Sequence, residues 1–356
     1  MDELKITEEL TETSSWAAGA TRPGVNLSRE GLISELTIRA NITATLTATA
    51  VQDCTTRGLS GVEVKGDKGK AYVDLKGTNN LGRLLALLNR CDTGVSGLHA
   101  EADVNAASFN QSYVMHFGSF PKDPFDLSAA IPARALSTLQ IKVVCPAAAE
   151  TDPAGLITAG TYTFGVNHVI EKSVPANLMV PAWEVLEWPH DADHSNYGKK
   201  IDIPVGGWLR RIVMLVQDET ATVPVRKDDE ITAVNISLEK TKQTILSGSW
   251  EGLKYQMARQ YELAGAFAEK ALGAIATTRP GFNGAMLLPA GFLIIDFRKY
   301  FNRTYGLNLM SNPLTGYTYQ SGDVKMGLTV ENYAAGDDTI ILYDILQPVD
   351  PSYINR

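Results

Sequence analysis

The feature that most constrains this chain is an internal repeat. Val25-Asn26-Leu27 precedes Gly31-Leu32-Ile33, and Ile201-Asp202-Ile203 precedes Gly207-Trp208-Leu209, 176 residues further on. At the same offset Leu36, Ile38 and Ala40 meet Ile212, Met214 and Val216. Val62-Glu63-Val64 meets Val234-Asn235-Ile236 at an offset of 172, and the stretch LGRLLALLNR meets WEGLKYQMAR at 169. YVMHF at 113–117 then meets LIIDF at 293–297, at 180. Identity between the halves is low, but the order of elements is shared and the offset drifts only by loop-sized amounts. Self-similarity of this kind marks a duplicated unit, so each half is expected to fold alike.

The elements within a half are mostly strands. In the stretch from Gly31 to Val51, Leu36, Ile38, Ala40 and Ile42 fall on one parity, and Thr37, Arg39, Asn41 and Thr43 on the other. A period of two predicts a half-buried antiparallel strand pair. Further strands are predicted at 59–65, 71–75, 113–117, 139–144 and 161–170, separated by Gly, Pro, Asp and Asn clusters. Two stretches carry helical spacing. Residues 79–90 place Leu81, Leu84, Leu85 and Leu88 on one face, and 249–272 place Leu253, Met257 and Tyr261 on one face. Helices here decorate strands and do not alternate with them, which argues against a parallel α/β sheet.

The expected fold is therefore all-β: two tandem eight-stranded jelly-roll β-sandwiches with short inserted helices. The boundaries read from sequence are an N-terminal arm at 1–22, a first jelly roll at 23–175, a linker at 176–200, a second jelly roll at 201–350 and a tail at 351–356. Pro175, Pro181 and Pro189 mark the join, since proline interrupts both helices and central strands.

Composition narrows the function. The 356 residues carry a formal net charge of −8, with 44% hydrophobic and 20% charged residues, as in an ordinary folded chain. No run of Lys or Arg exceeds two residues, so the basic stripe of a nucleic-acid binder is missing. Sequence-specific nucleic-acid binding is not expected. The acidic start, MDELKITEELTETSSW, lacks the basic and apolar regions of a secretory signal. The longest apolar stretch, 285–295, contains Pro289 and is too short to span a bilayer. Cys54, Cys91 and Cys145 are odd in number and widely spaced, which suggests neither a disulfide framework nor a structural zinc site. Synthesis in a reducing cytoplasm is the expectation.

At this point the chain resembles the double jelly-roll major capsid proteins of tailless icosahedral double-stranded DNA viruses, the tectivirus-like and corticovirus-like lineage. The resemblance rests on the tandem halves, the size and the N-terminal segment, over about residues 20–350. It implies a structural protein of the virion capsid that forms homotrimers. Each trimer would be a pseudo-hexagonal capsomer that tiles the shell beside its neighbours. It also implies penton and minor capsid proteins as partners, and an N-terminal arm that reaches beneath the shell towards an internal membrane or a neighbouring tile. No cofactor is implied.

Several segments are candidates for assembly or chemistry. The loops 94–111 and 273–289, rich in Ala, Gly, Ser and Asn, are candidates for building the trimer, or are plain surface loops. Trp183, Trp188 and Trp208 near the join suit an interface or packing between the two rolls. The arm holds Asp2, Glu3, Glu8, Glu9 and Glu12 against Lys5. That charge departs from a lipid-binding helix and suits either order against basic patches of adjacent subunits or disorder.

Enzyme signatures HExxH, GxSxG and GxGxxG do not occur. Residues 66–71, GDKGKA, lack the first glycine and the final Ser/Thr of a phosphate loop and read as a hairpin turn. The one pointed cluster is His190, Asp191, Asp193 and His194, which could bind zinc or another divalent ion or form a polar loop between domains. His99, His116 and His168 stand alone. The acidic runs Asp228-Asp229-Glu230 and Asp337-Asp338 read as turns. Sequons at Asn26, Asn41, Asn110, Asn235 and Asn302 carry little meaning without a secretory signal. Two other readings stay open from the residues themselves: a carbohydrate-binding double β-sandwich, and a two-domain cupin-like or glycosidase-like enzyme.

Overall fold

The computed structural model describes residues 4–44, 54–76, 81–93, 107–121, 123, 126–147, 157–170, 174–218, 225–261, 290–312 and 315–354. It divides into two units, one of residues 1–186 with 346–356 and the other of residues 187–345.

The first unit opens with β1 (Leu4–Glu9), β2 (Ser14–Ser15), β3 (Val25–Asn26) and the long β4 (Leu32–Ala44). The hairpin of β5 (Gly61–Gly66) and β6 (Ala71–Leu75) follows, then helix α1 (Leu81–Thr93). β7 (Ala107–His116), β8 (Leu139–Val144), β9 (Ile157–Ile170) and β10 (Met179–Pro181) complete it. One sheet has the order β1-β9-β4-β7, and the run β6-β5-β8-β3 forms the other layer. All these pairs are antiparallel. The alternation read in β4 is real: Leu36, Ile38, Ala40 and Ile42 are fully buried, while Arg39 and Asn41 are exposed.

The second unit takes its first strand from the chain that joins the units. β11 (Trp183–Pro189) is followed by β12 (His194–Asp202), β13 (Trp208–Asp218), β14 (Val225–Arg226), β15 (Ile231–Leu238) and β16 (Gln243–Ser249). Helix α2 (Trp250–Gln260) comes next, then β17 (Phe292–Asp296), β18 (Leu307–Asn308), β19 (Val324–Val330) and β20 (Asp337–Pro348). One layer is β12-β19-β15-β16. In the other, β11 neighbours β20, β20 neighbours β13, and β14, β17 and β18 pair with β13. The unit boundaries fall inside β11 and β20. The first residues of β11, Trp183 and Glu184, pair in parallel with Val73 and Asp74 of β6. The last residues of β20 pair with β10.

Placed side by side, the two units have the same plan. β1, β3, β4, β5, β6, α1, β7, β8 and β9 correspond in order to β11, β12, β13, β15, β16, α2, β17, β19 and β20. Each roll therefore has eight principal strands and one inserted helix. Register supports the match as well as order. Glu35 faces His116 across β4 and β7, and Arg211 faces Asp296 across β13 and β17. These partners are related by the offsets 176 and 180 seen in the sequence.

Two segments differ from the sequence reading. Residues 4–9, taken as part of an arm, form β1, which pairs along β9 from Leu4–Ile170 to Glu9–Gly165. The sequence left order or disorder open for this segment. In an antiparallel sheet a strand needs only one covered face. Residues 176–200, taken as a linker, contain β10, β11 and the start of β12. The prolines there fit because Pro181 and Pro189 end their strands.

Local chemistry explains the helices. Ser249 caps α2: its Oγ accepts a hydrogen bond from the Gly252 amide at 3.2 Å. In α1, a Cβ on Gly82 would lie 2.2 Å from the Thr56 carbonyl oxygen. Only glycine lets the helix approach residues 54–57 so closely. Tyr113 donates to the Thr56 carbonyl at 3.0 Å and Tyr162 to that of Gly58 at 2.7 Å, which fixes the same segment from the strands. The GDKGKA stretch is the tight β5–β6 connection, as read, with Gly69 at φ +76°. Asp67 there accepts from the Ser137 and Thr138 amides at 2.9 and 2.7 Å, tying the turn to the strand beside it.

Candidate functional site

The sequence candidates for metal binding do not converge. His190 is buried and its Nε2 lies 2.7 Å from the Thr339 hydroxyl. His194 Nε2 lies 2.8 Å from Asp191 Oδ1, and Asp191 also takes the Lys199 ammonium at 3.2 Å. Asp193 accepts from the Tyr333 amide at 2.9 Å. The four residues thus face three different sets of partners. Among the described residues no group of three or more His, Cys, Asp or Glu is placed to hold a metal ion.

The acidic runs are more than turns. Glu230, Asp337 and Asp338 are buried. Lys227 Nζ reaches Asp337 at 2.9 Å, Asp218 at 3.5 Å and Glu230 at 3.8 Å. His190 Nδ1 lies 3.6 Å from Glu230. Burial, with the Asp337 carboxylate beside it, pushes the Glu230 carboxyl up to about 9. It keeps its proton at neutral pH. Burial likewise pulls the His190 imidazole down to about 4, against the pull of Asp337 and Asp191, so that ring is neutral. Residues 228–230 form the connection between β14 and β15, as a turn reading expects, whereas Asp337 and Asp338 open β20.

Asp228 has a similar structural task. It accepts from Trp250 Nε1 at 3.0 Å, Lys254 Nζ at 2.6 Å and the Gly291 amide at 2.9 Å. This one carboxylate ties α2 to the start of β17. Gly291 adopts φ +66°, and a Cβ there would meet the Val216 carbonyl oxygen at 2.4 Å, so no other residue fits without strain.

The matched positions of the two rolls carry opposite chemistry. In the first roll, Glu35 accepts from Asn167 at 2.5 Å and pairs with His116 at 2.9 Å, while Thr7 of β1 donates to Asn167 at 2.7 Å. In the second, Arg210 and Arg211 both donate to Asp344 at 2.7 Å, and all three side chains are buried. Asp296, the counterpart of His116, accepts from Arg298 at 2.5 Å and from Tyr261 at 2.9 Å. Burial opposes ionisation of Asp344 and Asp296. The adjacent Arg210 and Arg211, and Arg298, outweigh it and hold both carboxyls below their ordinary range.

The tryptophans are engaged within their own units. Trp183 is buried edge-on against Phe117, with centroids 5.9 Å apart. Trp188 stacks on His190 at 4.2 Å under the Lys199 ammonium, and Trp208 lies 5.8 Å from Tyr305. Cys91 and Cys145 are buried and form no disulfide among the described residues. Candidate loop 273–289, and residues 94–106 of the other, lie outside the described residues. Among the described residues no helix is long and apolar enough to cross a membrane. The large exposed apolar side chains are Phe120, Leu186, Tyr255, Tyr300 and Phe301, a set the helical and strand periodicities did not single out.

Solved structures share this architecture over nearly the whole chain. The STIV MCP matches with a TM-score of 0.65 and 16% identity, covering 98% of both chains. The fold is the double jelly roll of viral major capsid proteins. The major capsid protein P2 from Bacteriophage PM2 matches this double jelly roll with a TM-score of 0.51 and 14% identity, covering 98% of this chain and 99% of that one. A chain of the PBCV-1 virus capsid matches with a TM-score of 0.59 and 10% identity, covering 97% and 94%. No protein-family model and no curated protein sequence matches the chain.

Proposed function

We propose that this chain is a structural major capsid protein. It trimerises into pseudo-hexagonal capsomers, and these tile an icosahedral shell together with penton and minor capsid proteins. It works in the virion after synthesis in the host cytoplasm, and it turns over no substrate. The observation that carries this reading is the pair of complete eight-strand rolls in one chain. Three copies supply six similar sandwiches, which is what a hexagonal tile with threefold symmetry needs. The fold alone would host other functions. The buried ion pairs of Arg210 and Arg211 with Asp344 and of Arg298 with Asp296 lie within the second roll.

Negative-stain electron microscopy of the purified chain tests the reading. Particles of hexagonal outline with threefold symmetry, or sheets and shells of them, are the expected result. Single dispersed two-lobed particles at every concentration would overturn it.

A further inference from the structure

The inserted helices of the two rolls are corresponding elements with different surroundings. In α1 every residue from Leu81 to Asp92 is buried, including Arg83, Asn89, Arg90 and Asp92. In α2 only Trp250, Leu253, Lys254, Met257 and Ala258 are buried. Its outer face presents Tyr255, 55% exposed, and the turn after β17 presents Tyr300 and Phe301, 43% and 46% exposed. Tyr300 donates to Gln256 of α2, which ties the turn after β17 to the helix. Large exposed aromatics thus lie on α2 and on the turn bonded to it. Exposed aromatic side chains on adjoining elements mark contact surfaces.

The charge on this surface has one dominant sign. Arg259 lies one turn beyond Tyr255 on the same helix face. Lys299 sits over the Tyr300 ring at 5.7 Å, and Arg303 occupies the exposed turn that follows. Glu251, a turn before Tyr255, is the one acid in this set. Turned against itself about a twofold axis, such a patch would bring cations together. A contact with a different, acidic surface is favoured instead, and contacts of that head-to-tail kind close into rings.

The chain carries a matching surface. Among the described residues β1 is the terminal strand of its sheet, and none of them pairs with its outer edge. Along and just after it lie Glu8, Glu9 and Glu12. Glu9 is 3.2 Å from Arg39 and Glu8 is 3.7 Å from the buried His168. Set against Arg39 and against Lys5 of the same strand, the three acids leave one negative charge in excess. Unprotected edge strands are where other chains add.

We propose that the Tyr255–Tyr300–Phe301 face of the second roll is a copy-to-copy contact, and that it takes the acidic β1 edge of the first roll of another copy. This rests on the capsomer reading and names the surfaces that close the ring. Charge-reversal variants test it by sedimentation across a concentration series. R259E/R303E and E9K/E12K are each expected to weaken self-association about tenfold or more, with the combined variant recovering to within about threefold of wild type. Y255A/F301A is expected to weaken it similarly, with an unchanged circular-dichroism spectrum. Unaffected association in both reversal variants would overturn the proposal, including the case where R259E/R303E instead loses retention on heparin and so marks a polyanion site. Weakening without recovery in the combined variant would overturn the assignment of β1 as the occupant. A wild-type chain monomeric at all concentrations would defeat the capsomer reading itself.

Discussion

The two jelly rolls share a register but not the chemistry that fills it. Glu35 and His116 face each other in the first roll, and Arg211 and Asp296 occupy the same facing positions in the second. The carboxylate has changed strand. Around it, a neutral partner, Asn167, stands where the second roll uses Asp344 against two arginines. Strand order and register are kept between the rolls, although β4 alternates buried and exposed positions and its counterpart β13 is buried along nearly its whole length. The polar pairs are satisfied locally, so they can be exchanged wholesale provided each buried group keeps a partner. The shared strand order thus tolerates different burial along its strands, and buried charge is a local solution within it.

That contrast predicts unequal costs. Asp344→Ala leaves Arg210 and Arg211 buried without their carboxylate and should cost about 3–5 kcal/mol. Glu35→Ala removes a carboxylate that is 22% exposed and should cost about 1–2 kcal/mol. Chemical denaturation of the two variants checks the order; equal losses would break the distinction between the rolls. The helices give a second contrast. Leu84→Ala in the enclosed α1 should cost about 2–5 kcal/mol. Tyr255→Ala on the exposed face of α2 should change the stability of the single chain by no more than about 0.5 kcal/mol, measured below the concentration of association.

A third contrast concerns pH. Glu230 holds its proton up to about 9 in the fold, against an ordinary value near 4.5. The unfolded chain releases that proton first, so stability is greatest below pH 4.5 for this group and declines as pH rises through 9. Glu230→Gln should flatten the alkaline arm of a melting-temperature profile. His190 has the reverse sign. Its folded value of about 4 lies below the ordinary 6.5, so its contribution is complete above pH 6.5 and is lost as pH falls through 4. A profile of His190→Gln with an unchanged acidic arm would show that this ring does not govern it.

Much of this fold was legible in the residues. The repeat offsets located facing strands because a duplicated unit preserves pairing. Residues 71–75 and 139–144 were bounded as β6 and β8, since Gly, Pro and polar clusters flank them. β1 and β11 were not legible. Each is the opening strand of a roll, and its partner, β9 or β20, comes at that roll's end, so the pairing leaves no local periodicity. The His190–His194 cluster looked chemical because four ligand types sit within five residues. On a strand end and the turn after it, successive side chains point different ways, and the residues separated. The burial of Glu230 and Asp337 was not legible because burial is a tertiary fact, and their partner Lys227 is set by the fold. The aromatic face of α2 was hidden because Tyr300 and Phe301 lie about 45 residues from Tyr255 in the chain.

The most direct test of the central claim is the mass of the intact chain in solution, by sedimentation equilibrium at micromolar concentration. The account predicts a dominant species at three times the chain mass of 38.6 kDa. A single species at 38.6 kDa, unchanged as concentration rises, would contradict it.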